Sequence, residues 1–276
     1  MNSPSSLGTS SPGTGWLRLG HQSLLFSIAE MRTVHTWRTW LFGWVARLLT
    51  QVTFFALIGK FVANDATMQF VLVGNIVALS CLESMIVVLT MAGERRLGTL
   101  PLLAIAPTSH VPVYLGRGLH WLASGIASSV IGWLVLPPLL GVPLPWPEAL
   151  PAVAMILLVA VSCYCYGCFL AGLAVRYRSL QVIVLNLGYL PIMAFCGVNV
   201  PISFWPAWLQ PVLHLFPLTN GLQAIRAVLA GGTWSEVWPK LALEALVGIG
   251  WFALATVSIN RVVTKGRADG SLEFGS

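Results

Sequence analysis

The chain has 276 residues, 57% of them hydrophobic and 9% charged, with a formal net charge of +6 and a mean hydropathy of +0.81. A soluble domain carries about 25% charged residues, so a globular cytosolic enzyme is excluded and the chain reads as an all-α membrane protein forming one integral unit. The excess of Lys and Arg then has to be judged by its position relative to the spans, and no nucleic-acid partner is implied.

Residues 1–19 open with a run of Ser, Gly, Pro and Thr that has no apolar core, which predicts a disordered tail and not a signal peptide. In HQSLLFSIAEMRTVHTW, Leu24, Leu25, Ile28 and Met31 fall along one side. That spacing fits a helix lying on the inner leaflet, or a helical lead-in to the first span. About 20 apolar residues are needed to cross a bilayer, and six stretches qualify: 40–62, 69–92, 113–136, 150–174, 180–198 and 240–261. With the connections between them they make up one transmembrane domain, 20–264. The third span carries ASGIASS, where Ala123 with Ala127 and Ser124 with Ser128 form small-residue pairs that allow close helix packing. The fourth holds CYCYGC; a metal site needs more ligands than this, so Cys163, Cys165 and Cys168, like Cys81 and Cys196, are read as small packing residues.

Between the fifth and sixth spans, residues 198–232 are apolar enough for the bilayer, but Pro201, Pro206, Pro211 and Pro217 cut them into pieces too short to cross. Irregular backbone at that depth needs shielding by protein or a water-filled cavity. Two short helices that dip in and return are predicted, with an interfacial lid as the alternative. Residues 265–276 form a C-terminal tail, whose final SLEFGS resembles a cloning remnant.

Six spans place both termini on one side. With the termini in the cytoplasm, the inner side holds Arg18, Arg32, Arg38, Arg95, Arg96, Arg117, Arg176, Arg178, Arg261, Lys265 and Arg267, and the outer side holds Lys60, Arg226 and Lys240. Eleven against three sets that orientation. Arg47 and Glu83 fall inside the first two spans, where a charge costs about 2.5 to 3.5 kcal/mol on insertion scales. Their depths allow an intramembrane ion pair; a pathway role and snorkelling are the alternatives. The histidines are scattered, and no metal or catalytic cluster emerges from them. Trp37, Trp40, Trp205 and Trp208 suit interface belts, while Trp44, Trp121, Trp133 and Trp251 lie deeper, in packing or along a hydrophobic path.

The connection between spans two and three is GERRLGTLPLLAIAPTSHVPVYLGR, residues 93–117. A solvated loop accounts for Arg95 and Arg96. It does not account for LPLLAIA, which is too short to cross and too oily for water, or for the APTS helix stop that follows. This series resembles the Glu-Arg, Gly-Thr-Leu, Ala-Pro-Thr and Gly-Arg pattern of type-2 ATP-binding cassette (ABC) export permeases, a family that includes drug and antibiotic exporters. PAWLQPVLHLFPLTNGLQAIRAVLAGG is similar to the outer segment of the same family, and the resemblance runs from about residue 20 to 262.

The resemblance implies a cytoplasmic coupling helix over 94–107, in which Glu94, Arg95, Arg96, Gly98, Thr99 and Leu100 meet an ABC ATPase subunit. It also implies an outer re-entrant gate that includes Pro201, Pro217, Leu218, Thr219 and Arg226. A P-loop requires Lys followed by Ser or Thr, and the three lysines here precede Phe61, Leu241 and Gly266. ATP and magnesium are therefore expected in a separate partner subunit, with no cofactor on this chain. A second permease chain, identical or different, would complete the path. The expected function is ATP-driven export of a hydrophobic or amphipathic small molecule across a bacterial cytoplasmic membrane, by a multi-pass chain with both termini inside. Export of a lipid-linked glycan or lipid and ion-coupled secondary transport are the alternatives.

Overall fold

Apolar runs of more than 20 residues lose least by satisfying their own backbone, and in lipid a helix is the only open-ended way to do so. The computed structural model describes residues 22–23, 25, 27–29, 36–96, 110–145, 149–176 and 180–269, with the backbone alone described at 94–96, 110, 176, 263 and 265–269. The described residues contain helices and connections and no strand.

A π-helical segment, Thr39–Val45, leads into α1 (Ala46–Val62). Asn64 then caps α2 (Asp65–Met85), its side chain accepting the Thr67 N–H at 2.8 Å. α3 is Val87–Arg96, α4 His110–Arg117, α5 Leu119–Leu139, α6 Pro151–Arg176 and α7 Gln181–Phe195. A 3-10 turn at Ile202–Phe204 and the single-turn α8 (Gln210–Leu213) precede α9 (Thr219–Leu229) and the long α10 (Trp234–Asp269).

Five helical stretches are long and apolar enough to cross a membrane: Thr39–Val62, Asp65–Gly93, Val111–Leu139, Pro151–Val175 and Trp234–Val262. The chain is a multi-pass helical membrane protein. The stretch expected to span over 180–198 folds as α7, an apolar helix of 15 residues. At 1.5 Å per residue that is roughly 22 Å, against a hydrocarbon core of about 30 Å. The helix stops early because Gly197 takes a positive φ of 87° and turns the chain.

α6 is the centre of the bundle and packs against α2, α3, α5, α7, α9 and α10. Two spans are broken at neighbouring positions. The second bends at Ile86, between α2 and α3, and the third at Gly118, between α4 and α5. The breaks touch: a Cβ on Gly118 would run into Val87 Cγ2 and sit 2.8 Å from Tyr164 Oη. Near the start of the chain, Ser27 accepts the His120 N–H at 2.9 Å and lies 2.9 Å from His120 Nδ1, while Leu25 and Ile28 stay exposed. Ser23 and Ser27 thus face α4 and α5, and Leu25 and Ile28 face away; Leu24 and Met31 lie outside the described residues.

Candidate functional site

Polar groups inside the bundle gather at two places. The first is around Glu83, ten residues from the Gly93 end of the second span and beside the bend at Ile86. Its carboxylate is fully buried, and Ser124 of α5 donates its hydroxyl to Glu83 Oε2. Ser124 in turn accepts the Trp40 indole N–H at 2.7 Å. Ser128 and Trp44 flank the same carboxylate. Among the described residues no donor reaches Glu83 Oε1 in hydrogen-bond geometry. The serine pair of ASGIASS therefore faces α2, where the next residue, Ser129, also donates to Ile76 O at 2.8 Å, whereas Ala123 points outward.

Arg47 does not close onto Glu83. Its guanidinium lies over the Trp44 ring, 5.1 Å from the centroid, and among the described residues no ion pair joins the two charges. Trp44 and Trp121 are 6.0 Å apart, and the Trp121 indole donates to Thr90 across the bend at 2.9 Å. The π-helical segment Thr39–Val45 carries Trp40 and Trp44, and such widened turns concentrate at functional sites.

The second polar centre holds the segment 196–232 against the bundle. Glu244 of α10 is fully buried and accepts two backbone amides at the start of α9, Leu218 N–H on Oε1 at 2.9 Å and Gly221 N–H on Oε2 at 3.0 Å. These are amides that a helix start leaves without intrahelical partners, and a negative charge is favoured there. Leu218 sits at φ 78°, the one non-glycine residue at positive φ among those described. Beside it, Thr219 donates to Leu213 O at 2.8 Å, and Asn220 donates to His214 O at 2.9 Å while accepting from His214 Nδ1 at 2.6 Å.

Further along α9, Arg226 reaches carbonyls on two separate elements. Nη1 donates to Gly197 O at 2.6 Å, and Nη2 to Phe70 O at 3.0 Å and Val198 O at 3.3 Å. The guanidinium also stacks 3.5 Å from the Phe70 ring centroid. Gly74 makes this approach possible, since any Cβ there would strike Val198 O. Asn75 donates to Asn199 Oδ1 at 2.8 Å, tying the same turn to α2.

Among the residues singled out from sequence, the structure places Leu218, Thr219 and Arg226 in this second centre, with Pro217 buried beside them and Pro201 exposed at the preceding turn. Glu94, Arg95 and Arg96 end α3, with their side chains outside the described atoms, and Gly98, Thr99 and Leu100 lie outside the described residues. Sequence reading missed Glu244. A lone acid in LALEALVGIG carries the same signal as Glu83, a charge inside an apolar span.

A bundle of crossing-length apolar helices with buried charges, and a proline-cut segment folded back on it, defines a polytopic helical membrane protein. A family model described as "ABC-2 family transporter protein" matches residues 48–257, and the chain belongs to that family. It is also similar to the "Probable multidrug ABC transporter permease YbhR" of Escherichia coli strain K12, with 25% identity over 198 residues covering 67% of this chain and 51% of that protein. The same-named protein of E. coli O157:H7 matches equally. The chain spans about half the length of these relatives.

Proposed function

We propose that the chain is the permease half of an ATP-driven exporter for hydrophobic or amphipathic small molecules. It would reside in a bacterial cytoplasmic membrane with both termini inside and pair with a second permease chain, identical or different. The observation that carries this reading is the match of 48–257 to the ABC-2 transporter family; the word "multidrug" in the name of the E. coli relative supports the cargo class. In this arrangement the 15-residue α7 is the sixth crossing, its short length met by local thinning of the bilayer, and the segment 196–232 is the re-entrant outer gate, with Pro201, Pro217, Leu218, Thr219 and Arg226 at its folds. The helix around Ser23 and Ser27 lies at the inner surface.

An ATPase subunit with its own ATP and magnesium presses on 94–107. Glu94, Arg95 and Arg96 offer it charge-assisted bonds, and Gly98, Thr99 and Leu100 complete the contact. The push enters α3 and α4, which meet α2 and α5 where Val87 lies against Gly118. α2 carries the motion outward to Phe70, where Arg226 fastens the outer segment. One helix thereby touches both the driven end and the gate.

The test is to copurify the chain with a cognate ATPase, reconstitute both in proteoliposomes, and measure hydrolysis against amphipathic compounds. Stimulation by cargo, lost on Arg95→Glu/Arg96→Glu while the permease stays folded, is expected. Stable purification with no ATPase bound, together with movement of substrate by an ion gradient alone, overturns the reading.

A further inference from the structure

Glu83 poses a problem that its neighbours do not solve. Its carboxylate is fully buried on an apolar helix, one oxygen takes the Ser124 hydroxyl, and among the described residues Oε1 has no donor in hydrogen-bond geometry, although Ser128 and the Trp44 indole stand beside the carboxylate. A half-engaged carboxylate away from water is costly, so the site favours a proton or a cation brought close to that oxygen. Arg47, the cation within reach, lies over the ring of Trp44.

The surroundings have the chemistry of a cation cage. Trp44 stands at the flank of the carboxylate, Trp40 reaches it through Ser124, and Trp121 packs beyond them, 6.0 Å from Trp44. Indole faces attract cations, most strongly when both are out of water. The position of Arg47 shows that the Trp44 face already receives one. All three rings are only partly covered, and Arg47 is exposed, so the cluster opens at the side of the bundle.

We propose that Glu83 and the Trp40–Trp44–Trp121 cluster form a binding site for a lipophilic organic cation, with Arg47 as the resident cation that the ligand displaces. The proposal deepens the exporter reading by naming the charge class of its cargo, and it rests on that reading for the word cargo but not for the binding. Depth selects the source of the cation. Glu83 lies roughly 15 Å along the helix from Gly93, about half the hydrocarbon thickness. A lipid headgroup amine stays at the interface, whereas a cation with its charge spread over aromatic groups can reach this level.

The experiment uses the purified full-length permease without ATPase and measures equilibrium binding of radiolabelled tetraphenylphosphonium, with neutral triphenylphosphine oxide as the comparator. Three results are expected. The wild type prefers the cation. Glu83→Gln weakens tetraphenylphosphonium at least about tenfold and leaves the neutral compound unchanged. Arg47→Gln tightens tetraphenylphosphonium several-fold, since it removes a competitor.

A purely structural Glu83–Arg47 interaction predicts the opposite sign for Arg47→Gln, namely no gain or a loss, and that result overturns the proposal. Equal affinity of Glu83→Gln and wild type for tetraphenylphosphonium also overturns it. If Glu83→Gln does not fold, Arg47→Gln on its exposed side chain decides the matter. An ATPase stimulated only by neutral compounds sinks the cation site and keeps the exporter; cation binding by a permease that no ATPase joins does the reverse.

Discussion

Glu83 and Glu244 are both lone acids on apolar helices, and both are fully buried. Their surroundings differ in kind. Each oxygen of Glu244 takes a backbone amide of the α9 start, donors fixed by the chain itself and available wherever a helix begins. Glu83 takes the Ser124 hydroxyl on one oxygen, has Ser128 and Trp44 at its flank, and leaves its other oxygen without a donor in hydrogen-bond geometry among the described residues. A buried charge with every lone pair engaged holds a fold together; one left half-engaged stores a demand that a proton or a ligand can meet. The comparison assigns structure to the Glu244 end of the molecule and exchange to the Glu83 end.

The largest effect is expected at Glu244. Glu244→Ala strands two amides inside the bundle and removes the anchor of a strained Leu218. Loss of a buried charged acceptor costs about 3 to 5 kcal/mol. The folded fraction by fluorescence-detected size exclusion after heating should collapse, and Glu244→Gln, which keeps one acceptor oxygen, should recover part of it. If Glu244→Ala melts like wild type, the structural assignment fails.

Arg226 comes next. Arg226→Lys keeps the charge but cannot reach Gly197 O, Val198 O and Phe70 O together, because an ammonium lacks the planar fork. About 1.5 to 3 kcal/mol is at stake for the lost charge-assisted bonds. The change should loosen the turn at 197–199 from α2 while the Glu244 anchor holds. A cysteine placed at Asn199 should then react faster with a maleimide in the Arg226→Lys background, with the melting temperature lowered less than by Glu244→Ala. Unchanged labelling would show that the Asn75–Asn199 bond alone holds this turn.

The span boundaries could be read from sequence because hydrophobic length alone sets them: 40–62 became Thr39–Val62, and 150–174 became Pro151–Val175. The stretch 180–198 was overcounted because composition continues through FCGVNVP while the backbone turns at Gly197. The proline-cut segment was expected to hold two short helices, and after a 3-10 turn it holds the single-turn α8 and the 11-residue α9. Buried charges were harder to place. A sequence search looks for an opposite charge, but Glu244 is answered by amides and Arg226 by carbonyls, and backbone groups are the same at every position. Family motifs named Arg226 as part of the outer segment without revealing what it grips. Depth along the helix suggested that Arg47 and Glu83 could pair; Arg47 rests on the Trp44 ring close to Glu83, and among the described residues no ion pair closes between them.

That last difference sets the smallest effect and the sharpest test of the contrast. In a double-mutant cycle of Arg47→Leu and Glu83→Leu, a buried ion pair would show as strong coupling, because removing either partner abandons the other at a cost of about 3 to 5 kcal/mol. With Arg47 exposed on an indole face and Glu83 bonded to Ser124, the coupling in folded-state stability should stay under about 1 kcal/mol, within the range of an exposed charge. Glu83→Leu alone should cost little or even stabilise, since leucine brings no unsatisfied oxygen to a site that now leaves one. Coupling of about 3 kcal/mol or more across the cycle would mean that the two charges do meet, and Glu83 would join Glu244 as a residue whose charge is spent on the fold.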